Sequence, residues 1–274
     1  MHFRPWDKGI KTRTFSAVKT ITEPNSVVSQ SAPKLINSMQ FRTLLTVVLI
    51  AASGVLSSTI ARRASEIDHD KVIPLPASGG HDETEFQPEL HIGNGCHSYA
   101  AVDAEGNWSG GLKPTGAPSA DCKDTSKGQT YVRSTRYQGR IAFVYAWYFP
   151  KDEISTGIGH RHDWEGAVVF LDANTHHIDG VAASAHGHWR KYPNPGGENV
   201  SGTHVKLQYS AEPVINSHAL DLTDKGGDLL TLVDWGSMPA AARAAINDGS
   251  HWGDTNPLVA DAHFESALEG AWMW

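Results

Sequence analysis

Basic residues are scarce after the first quarter of the chain, and no apolar run is long enough to cross a membrane. Residues 64–274 contain 14 Lys and Arg against 28 Asp and Glu, so this part is poorly suited to nucleic acid, whose phosphates are neutralised by Lys and Arg. The same acidity excludes simple electrostatic docking on anionic lipid. A membrane contact would need a specific head group or a bridging cation. The longest apolar run, residues 44–56, has 13 residues, whereas a spanning helix needs about 20.

This short apolar run has the layout of a secretory signal. Met39 and Arg42 precede it and small residues follow it, which is the order of the charged, apolar and cleavage regions of a signal peptide. We therefore expect a signal peptide at residues 39–61 and secretion of the remainder. Residues 1–38 show no apolar periodicity, and we interpret them as a non-native upstream extension.

The rest of the chain is interpreted as an arm followed by one domain. Residues 62–92 are polar and contain Pro and Gly, which predicts a propeptide or flexible N-terminal arm. Residues 93–274 contain no repeat, low-complexity segment or linker, so they are predicted to form one domain. Only two cysteines are present, Cys96 and Cys122. Behind a signal peptide they predict one disulfide, with two free buried thiols as the alternative.

Short apolar segments separated by turn signals predict a mainly β fold. The strongest strand signal, residues 141–149, is rich in aromatic and β-branched side chains and is expected to end at Pro150. Further strands are predicted at 166–171, 178–183, 204–209 and 229–233, and helices at 239–248, with Ser237 as N-cap, and at 257–268. Together they predict an α+β fold, an antiparallel β-sandwich or barrel flanked by helices.

A dense cluster of carboxylates and imidazoles lies between Asp152 and Glu165. We expect residues 152–162 to form a loop at one end of the sheet, after which Asp163 and Glu165 enter the next strand. Positions i and i+2 of a strand point the same way, so these two carboxylates converge. Asp152 and His160 can reach the same point from the loop.

Three carboxylates and one imidazole form a mostly oxygen site, which suits Ca²⁺, Mg²⁺ or Mn²⁺ better than Zn²⁺. Zn²⁺ bound by His160 and His162 is an alternative, although the two rings point oppositely in an extended chain. Solvated loop charges paired with Arg161 are a second alternative.

Seven consecutive residues match the heptapeptide signature of the NEP1-like proteins: Gly159-His160-Arg161-His162-Asp163-Trp164-Glu165. Residues 145–152, Tyr-Ala-Trp-Tyr-Phe-Pro-Lys-Asp, resemble a second stretch of that family at the expected distance. The resemblance runs from about Ile73 to the C-terminus, and the two cysteines match the family's type 1 pattern. The chain therefore resembles the necrosis- and ethylene-inducing-peptide-like, or NPP1-domain, family.

This resemblance implies a secreted cytolysin, not an enzyme, with a helix-flanked β-sandwich like that of the pore-forming actinoporins. It implies a divalent cation, first Mg²⁺ or Ca²⁺ and otherwise Mn²⁺, held at positions that correspond to Asp152, His160, Asp163 and Glu165. That cation would take part in binding the sugar head group of plant glycosylinositol phosphorylceramides. Residues 141–165 also resemble the segment that plant pattern-recognition receptors detect.

Three further residues are candidates for head-group contact. His186 and Trp189 lie in a second His-rich loop, and His218 resembles a family histidine near the cavity. Each also has a structural interpretation, as part of a surface loop or as a histidine of the core. Residues 213–215 are Pro-Val-Ile, where some cytolytic members carry a Trp that anchors at the membrane interface. Toxicity is therefore a separate question from cation binding.

Three functions follow as hypotheses. The first is a sphingolipid-binding cytolysin, and the second is a non-cytolytic secreted member perceived by plants. The third is a hydrolase that uses Asp163 and Glu165 as an acid/base pair. Only the carboxylate pair favours it, because the sequence contains no nucleophile elbow and no zincin motif.

Overall fold

The computed structural model describes residues 63–212 and 217–274. The predicted upstream extension at 1–38, the signal peptide at 39–61 and the Pro-Val-Ile stretch at 213–215 lie outside the described residues. The strands are β1 (Glu66–Ile67), β2 (Glu89–Ile92), β3 (Trp108–Ser109), β4 (Gln129–Tyr137), β5 (Arg140–Ser155), β6 (Ile158–Asp172), β7 (Ile178–Ala185), β8 (His188–Pro193), β9 (Val200–Ser201), β10 (His204–Glu212), β11 (Ser217–Leu222) and β12 (Thr231–Asp234). The α-helices are α1 (His81–Glu85), α2 (Ala240–Asn247) and α3 (Phe264–Ala271). None of these helices has the length and hydropathy needed to cross a bilayer.

Two sheets pack face to face, which confirms the predicted β-sandwich. The larger has the strand order β12-β4-β5-β6-β7-β8, and the smaller has the order β11-β10-β2, with β9 beside β10. Strand β11 packs against β5, β6 and β7. Neighbours from β4 to β8 are antiparallel, as expected, whereas β12 runs parallel to β4 and β2 runs parallel to β10.

The centre of the larger sheet is buried on both faces. Residues 142–149 and 167–171 are at most 2% exposed, because the smaller sheet covers one face while α3 and Trp252 cover the other. A continuous apolar run is the pattern expected of a strand that has two buried faces. The sequence contains such a run at 141–149, where a strand was predicted.

The predicted end of this strand at Pro150 is wrong, and so is the predicted loop at 152–162. Strand β5 continues to Ser155 and β6 begins at Ile158, so the signature heptapeptide lies within a strand. Proline has no N–H to donate to a ladder. The pairing accommodates it, because Phe149 pairs with Asp163 and Lys151 with Arg161 while Pro150 forms no ladder pair.

The N-terminal segment also differs from its prediction. The described part of the expected arm, from Arg63 to Ile92, contributes β1, α1 and β2 to the fold. Four of its apolar side chains are buried against the core: Val72, Leu75, Phe86 and Leu90. Its polar composition reflects an exposed outer side, while its scattered apolar residues hold it in place.

The helix predictions were correct in number near the C-terminus and less accurate in their bounds. Helix α2 matches the first, with Pro239 rather than Ser237 at the N-cap position. The second prediction began at Pro257, but α3 begins at Phe264, since residues 257–263 form turns.

The predicted disulfide between Cys96 and Cys122 is present, with a Cα–Cα distance of 5.1 Å, and both residues are fully buried. The chain between them reaches the outer end of the β5–β6 hairpin. Lys151 Nζ donates to the carbonyl of Ala117 at 3.0 Å, and Thr156 Oγ1 donates to that of Gly116 at 2.6 Å. The disulfide loop is thereby fixed against the strands that carry the signature residues.

Candidate functional site

The signature acids line a cavity because the backbone of β6 departs from regular alternation. His160 and Asp163 are an odd number of residues apart, so in a regular strand they would lie on opposite faces. His162, between them, has φ +60°. This left-handed residue interrupts the alternation, and both His160 and Asp163 line the cavity.

Gly159 brings the two strands of the hairpin together beside the first acid. Asp152 pairs with His160, and the next pair joins Glu153 to Gly159. Gly159 has φ +146°, and a Cβ at this position would lie 1.9 Å from the carbonyl oxygen of Asp152. Only glycine fits here, which gives a physical reason for the first residue of the signature.

The cavity lies beside β6 where β7 no longer pairs with it. The β6–β7 ladder reaches Ala167 and stops there. Beyond it, four residues of β6 line an open space of about 540 Å³: His160, Asp163, Trp164 and Glu165. The turn between β7 and β8 forms a second side of the space, and the segment 254–270 forms the third.

Asp152 is held from the smaller sheet. It is fully buried, and one of its carboxylate oxygens accepts hydrogen bonds from Ser217 Oγ at 2.6 Å and from the backbone N–H of His218 at 3.0 Å. Its other oxygen lies 2.5 Å from Nδ1 of His218. Strand β11 thereby fixes the orientation of this carboxylate.

Asp163 and Glu165 are held at one oxygen each. Tyr209 Oη donates to Asp163 Oδ2 at 2.7 Å, and the Tyr209 ring stacks on Phe149 with centroids 3.8 Å apart. Ser184 Oγ donates to Glu165 Oε2. The second oxygens, Asp163 Oδ1 and Glu165 Oε1, have no hydrogen-bond partner in the part of the chain that the structure describes. They remain as acceptors for a ligand.

The burial of three neighbouring acids changes their ionisation. Burial raises the pKa of Asp163 to about 7, and the negative charge of Asp152 adds to this effect. Burial, followed by the charge of Asp163, raises the pKa of Glu165 well above its ordinary value. Burial would also raise the pKa of Asp152, but hydrogen bonds from His218 and Ser217 lower it overall. At neutral pH the cluster therefore favours any partner that supplies positive charge.

The four predicted ligands are neighbours, but their donor atoms are spread more widely than in a closed coordination sphere. His160 Nε2 lies 3.6 Å from Asp152 Oδ2. Among residues 63–212 and 217–274, the set of His, Cys, Asp or Glu whose ligand atoms lie within 4.8 Å of one another is His81, Asp82 and Glu85. These are largely solvent-exposed side chains of the short helix α1.

The remaining signature residues build the fold around the acids. His162 Nδ1 lies 2.8 Å from Tyr148 Oη, and the His162 ring meets Trp252 edge-on. Burial lowers the pKa of His162 to about 4, and the positive charge of Arg161 contributes. His160 faces the cavity while His162 is buried under Trp252, so the structure does not bring the two imidazoles together as a Zn²⁺ pair.

The other predicted contacts divide into two groups. His186 and Trp189 line the same cavity as the acids. His218 does not line it, because it is 1% exposed and stacks on Tyr209 behind Asp152. Sequence reasoning missed three residues whose hydroxyl groups donate hydrogen bonds to the acids, namely Ser184, Tyr209 and Ser217. No motif marks them, since they belong to strands that are distant in sequence.

Comparison with known proteins decides the family. Residues 80–271 match the family profile described as necrosis inducing protein (NPP1). The chain belongs to this family. It is 44% identical over 225 residues to NLP effector protein 3 of Phytophthora capsici, which covers 78% of this chain and 94% of that protein.

Solved structures agree. The crystal structure of Necrosis and Ethylene inducing Protein 2, from the causal agent of cocoa's witches' broom disease, is 75% identical and superimposes with a TM-score of 0.77, over 77% of this chain and all of that one. NLPPya in complex with mannosamine is 39% identical, with a TM-score of 0.72 over 76% of this chain and all of that one. The non-toxic protein HaNLP3 is 36% identical, with a TM-score of 0.71 over 75% of this chain and 99% of that one. A family member described as non-toxic therefore shares this fold.

Proposed function

We propose that this NPP1-family chain is secreted and binds the sugar head group of plant plasma-membrane glycosylinositol phosphorylceramides through a divalent cation, acting by binding and not by catalysis. One observation carries the proposal. Two buried carboxylates, Asp163 and Glu165, line a cavity that no described Lys or Arg lines, and a third, Asp152, is buried beside His160 of the same cavity. Buried carboxylates without a partner of opposite charge are costly, so the cluster favours a cation as a permanent occupant.

The donor set fits a hard divalent cation. Asp163 and Glu165 each offer one oxygen without a hydrogen-bond partner among the described residues, His160 offers Nε2, and Asp152 lies behind them at the pair with His160. Oxygen ligands with one nitrogen favour Mg²⁺, Ca²⁺ or Mn²⁺. When bound, such a cation would offset the carboxylate charge and offer coordination positions to sugar hydroxyls. Tyr209, Ser184 and Ser217 hold the acids in place for this role.

Related structures support a sugar as the ligand. NLPPya has been crystallised with mannosamine and with glucosamine. Both are amino sugars, and the acids that line the cavity in this chain have the charge that would attract them. We propose the same ligand class here, presented on a membrane lipid.

Membrane damage is the first proposed consequence of binding, and perception by the plant without cell death is the second. The family structure described as non-toxic supports the second consequence as an alternative to the first. For perception, we propose the segment 141–165 as the recognised peptide. Most of its side chains are buried in β5 and β6, so a receptor would reach it only after unfolding or proteolysis.

Leakage from vesicles tests the proposal. Vesicles that contain plant glycosylinositol phosphorylceramide would be mixed with wild type, with Asp163→Ala and with Asp224→Ala, in Mg²⁺ and in chelator. Asp224 is an exposed acid outside the cavity. We expect wild type and Asp224→Ala to bind the vesicles in Mg²⁺, and we expect no binding by Asp163→Ala. Leakage of the vesicle contents then tests whether binding damages the membrane. Equal binding by Asp163→Ala, or binding that persists in chelator, would contradict the proposal.

A further inference from the structure

The chain contains two acceptor sequences for N-linked glycosylation, in which Ser follows Asn after one intervening residue: Asn107-Trp108-Ser109 and Asn199-Val200-Ser201. Such a sequence is modified in a chain that enters the secretory pathway, and its asparagine must then carry a bulky substituent at the protein surface. Secretion is part of the proposed function, and this inference rests on it. The surroundings of the two asparagines determine which of them can carry the substituent.

The side chain of Asn107 is already used by the fold. Its Nδ2 donates to Asp103 Oδ2 at 2.8 Å, and its Oδ1 accepts from the backbone N–H of Ser65 at 3.1 Å. Asp103 is 3% exposed, so a sugar attached to Nδ2 would crowd a buried carboxylate. The hydroxyl of Ser109 is fully buried and accepts a hydrogen bond from Tyr148 Oη at 2.9 Å. The first sequence therefore serves the packing of its loop and not the attachment of a glycan.

Asn199 differs in each of these respects. It is the last residue of the 3₁₀ turn Gly197–Asn199, directly before β9, and it is partly exposed. Among the described residues its side chain makes no hydrogen bond, and neither does the exposed hydroxyl of Ser201. The amide that accepts the glycan and the hydroxyl that completes the acceptor sequence are therefore both free, and a glycan at Asn199 displaces only water.

The backbone beside Asn199 is held by groups other than its side chain. Strand β9 pairs with the first residues of β10. In the turn between these strands, Thr203 Oγ1 donates to the carbonyl of Glu85 at 2.6 Å, and His204 Nδ1 lies 2.8 Å from the carbonyl oxygen of Gln87. A substituent on Asn199 Nδ2 leaves all of these contacts intact. The hairpin is therefore a firm support for a surface glycan.

Asn199 is attached at the end of β10 that is remote from the acidic cavity. Strand β9 pairs with Val205, near the start of β10. Near the other end of β10, Glu212 lies 3.1 Å from His186, which lines the cavity. An extended strand from Val205 to Glu212 is roughly 24 Å long. A glycan at Asn199 therefore starts far from the cavity and leaves the cavity open.

We propose that Asn199 carries an N-linked glycan in the secreted protein and that Asn107 does not. The glycan donor is a lipid-linked oligosaccharide diphosphate. The bond between C1 of its first sugar and a diphosphate oxygen breaks, and the diphosphate leaves with the electron pair. A new bond forms between C1 and Asn199 Nδ2, which loses one proton. The glycan then covers the end of the smaller sheet that is remote from the cavity, and the acidic site stays accessible to a membrane.

Secretion of the full chain from a eukaryotic host tests this assignment, with the intact mass of the secreted protein measured before and after treatment with an endoglycosidase. Wild type should carry one glycan, and peptide mapping should find it on Asn199 and find Asn107 unmodified. Asn199→Gln and Ser201→Ala should carry none. Ser201→Thr is the matched control, because it keeps the acceptor sequence and should stay glycosylated. These variants should fold, since neither side chain makes a hydrogen bond among the described residues.

The outcomes separate this inference from the proposed function. Wild type that is secreted without a glycan, or with its glycan on Asn107, overturns the inference while secretion stands. Wild type that is retained in the cells contradicts the proposed secretion, and the inference falls with it.

The placement of the glycan has a test of its own. Enzymatic removal of the glycan from folded wild type should leave its Mg²⁺-dependent binding to glycosylinositol phosphorylceramide vesicles unchanged. A severalfold gain in binding after removal would show that the glycan covers the cavity and would contradict its placement.

Discussion

The two halves of the β5–β6 hairpin belong to one antiparallel ladder but differ in their chemistry. The inner half, residues 141–149 with 166–171, is apolar and almost fully buried. The outer half, residues 150–165, has irregular pairing at Pro150 and between Glu153 and Ser155. It buries six polar or charged side chains: Lys151, Asp152, Glu153, His162, Asp163 and Glu165. It also contains Pro150 and three residues with positive φ, Gly157, Gly159 and His162.

This difference shows where stability and binding are separated in the fold. Burial of apolar area in the inner half stabilises the sandwich. The outer half buries charge, which is unfavourable unless it is compensated. Lys151 and Glu153 compensate each other at 2.5 Å, whereas Asp163 and Glu165 have no described Lys or Arg beside them in the cavity. The outer half therefore forms an acidic site and contributes less to the stability of the fold.

The largest expected effect lies in the inner half. Phe170→Ala removes a fully buried ring that meets Trp272 and Trp274 edge-on, and should lower the free energy of unfolding by about 3–5 kcal/mol. Cation affinity of the folded protein should not change, because Phe170 is distant from the acids along β6. Denaturant unfolding and titration calorimetry measure the two quantities. A large loss of cation affinity in folded Phe170→Ala would contradict the assignment of stability to the inner half and of binding to the outer half.

Gly159→Ala should have the next largest effect and lower the free energy of unfolding by about 2–4 kcal/mol. The added Cβ would collide with the carbonyl of Asp152, and the φ of this residue is positive. Gly157→Ala is the matched control. It also has positive φ but nothing within 4 Å of the added Cβ, so it should cost about 1 kcal/mol. Equal destabilisation of the two variants would show that the close approach of the strands is unimportant.

Asp163→Asn should change stability with a specific pH dependence. Burial and the charge of Asp152 raise the pKa of Asp163 to about 7 in the folded state, while the unfolded value is about 3.9. Between these values the folded state retains a proton that the unfolded state has released, so this group lowers stability as pH rises. In chelator, wild type should therefore lose stability relative to Asp163→Asn from about pH 4 to pH 7.

Thermal unfolding of both proteins across this pH range measures the effect, and added Mg²⁺ should restore wild type alone. A stability difference that stays constant with pH would contradict the raised pKa and remove the argument for a cation.

Tyr209→Phe should give the smallest effect. It removes the hydrogen bond to Asp163 at 2.7 Å, and loss of a residue that orients a metal ligand costs about 10–100-fold in metal affinity. The stability change should be about 1 kcal/mol. Tyr192→Phe is the control, since it removes a Tyr–Asp hydrogen bond to Asp221 outside the cavity. Cation affinity that falls equally in both variants would mean that orientation of Asp163 is not what Tyr209 supplies.

The same comparison explains what the sequence could predict. The inner half was predicted because a run of aromatic and β-branched residues indicates a buried strand whatever surrounds it. The continuation through Pro150 was not predicted, because proline and charged residues are typical of loops. The facing strand β6, the disulfide loop and β11 bind the polar groups of residues 150–155 and keep them extended.

The candidate site was partly predictable for a related reason. The spacing of Asp163 and Glu165 indicated that their side chains converge, and both line the cavity. The other residues that line the cavity and the residues that hold the acids come from β7, β8, β10, β11 and the segment 254–270. Their position depends on long-range packing, and nothing local in the sequence signals it.

The central claim is that the acids of the outer half hold a divalent cation. Titration calorimetry with Mg²⁺, Ca²⁺ and Mn²⁺ on wild type and on Asp163→Asn, at a pH of about 7.5 and in the absence of sugar, measures this directly. The account predicts one cation for each wild-type chain, with affinity at least about 100-fold weaker in Asp163→Asn, since a ligand loss should exceed the cost of losing an orienting residue. Absence of binding to the folded wild type, or equal binding by Asp163→Asn, would contradict it.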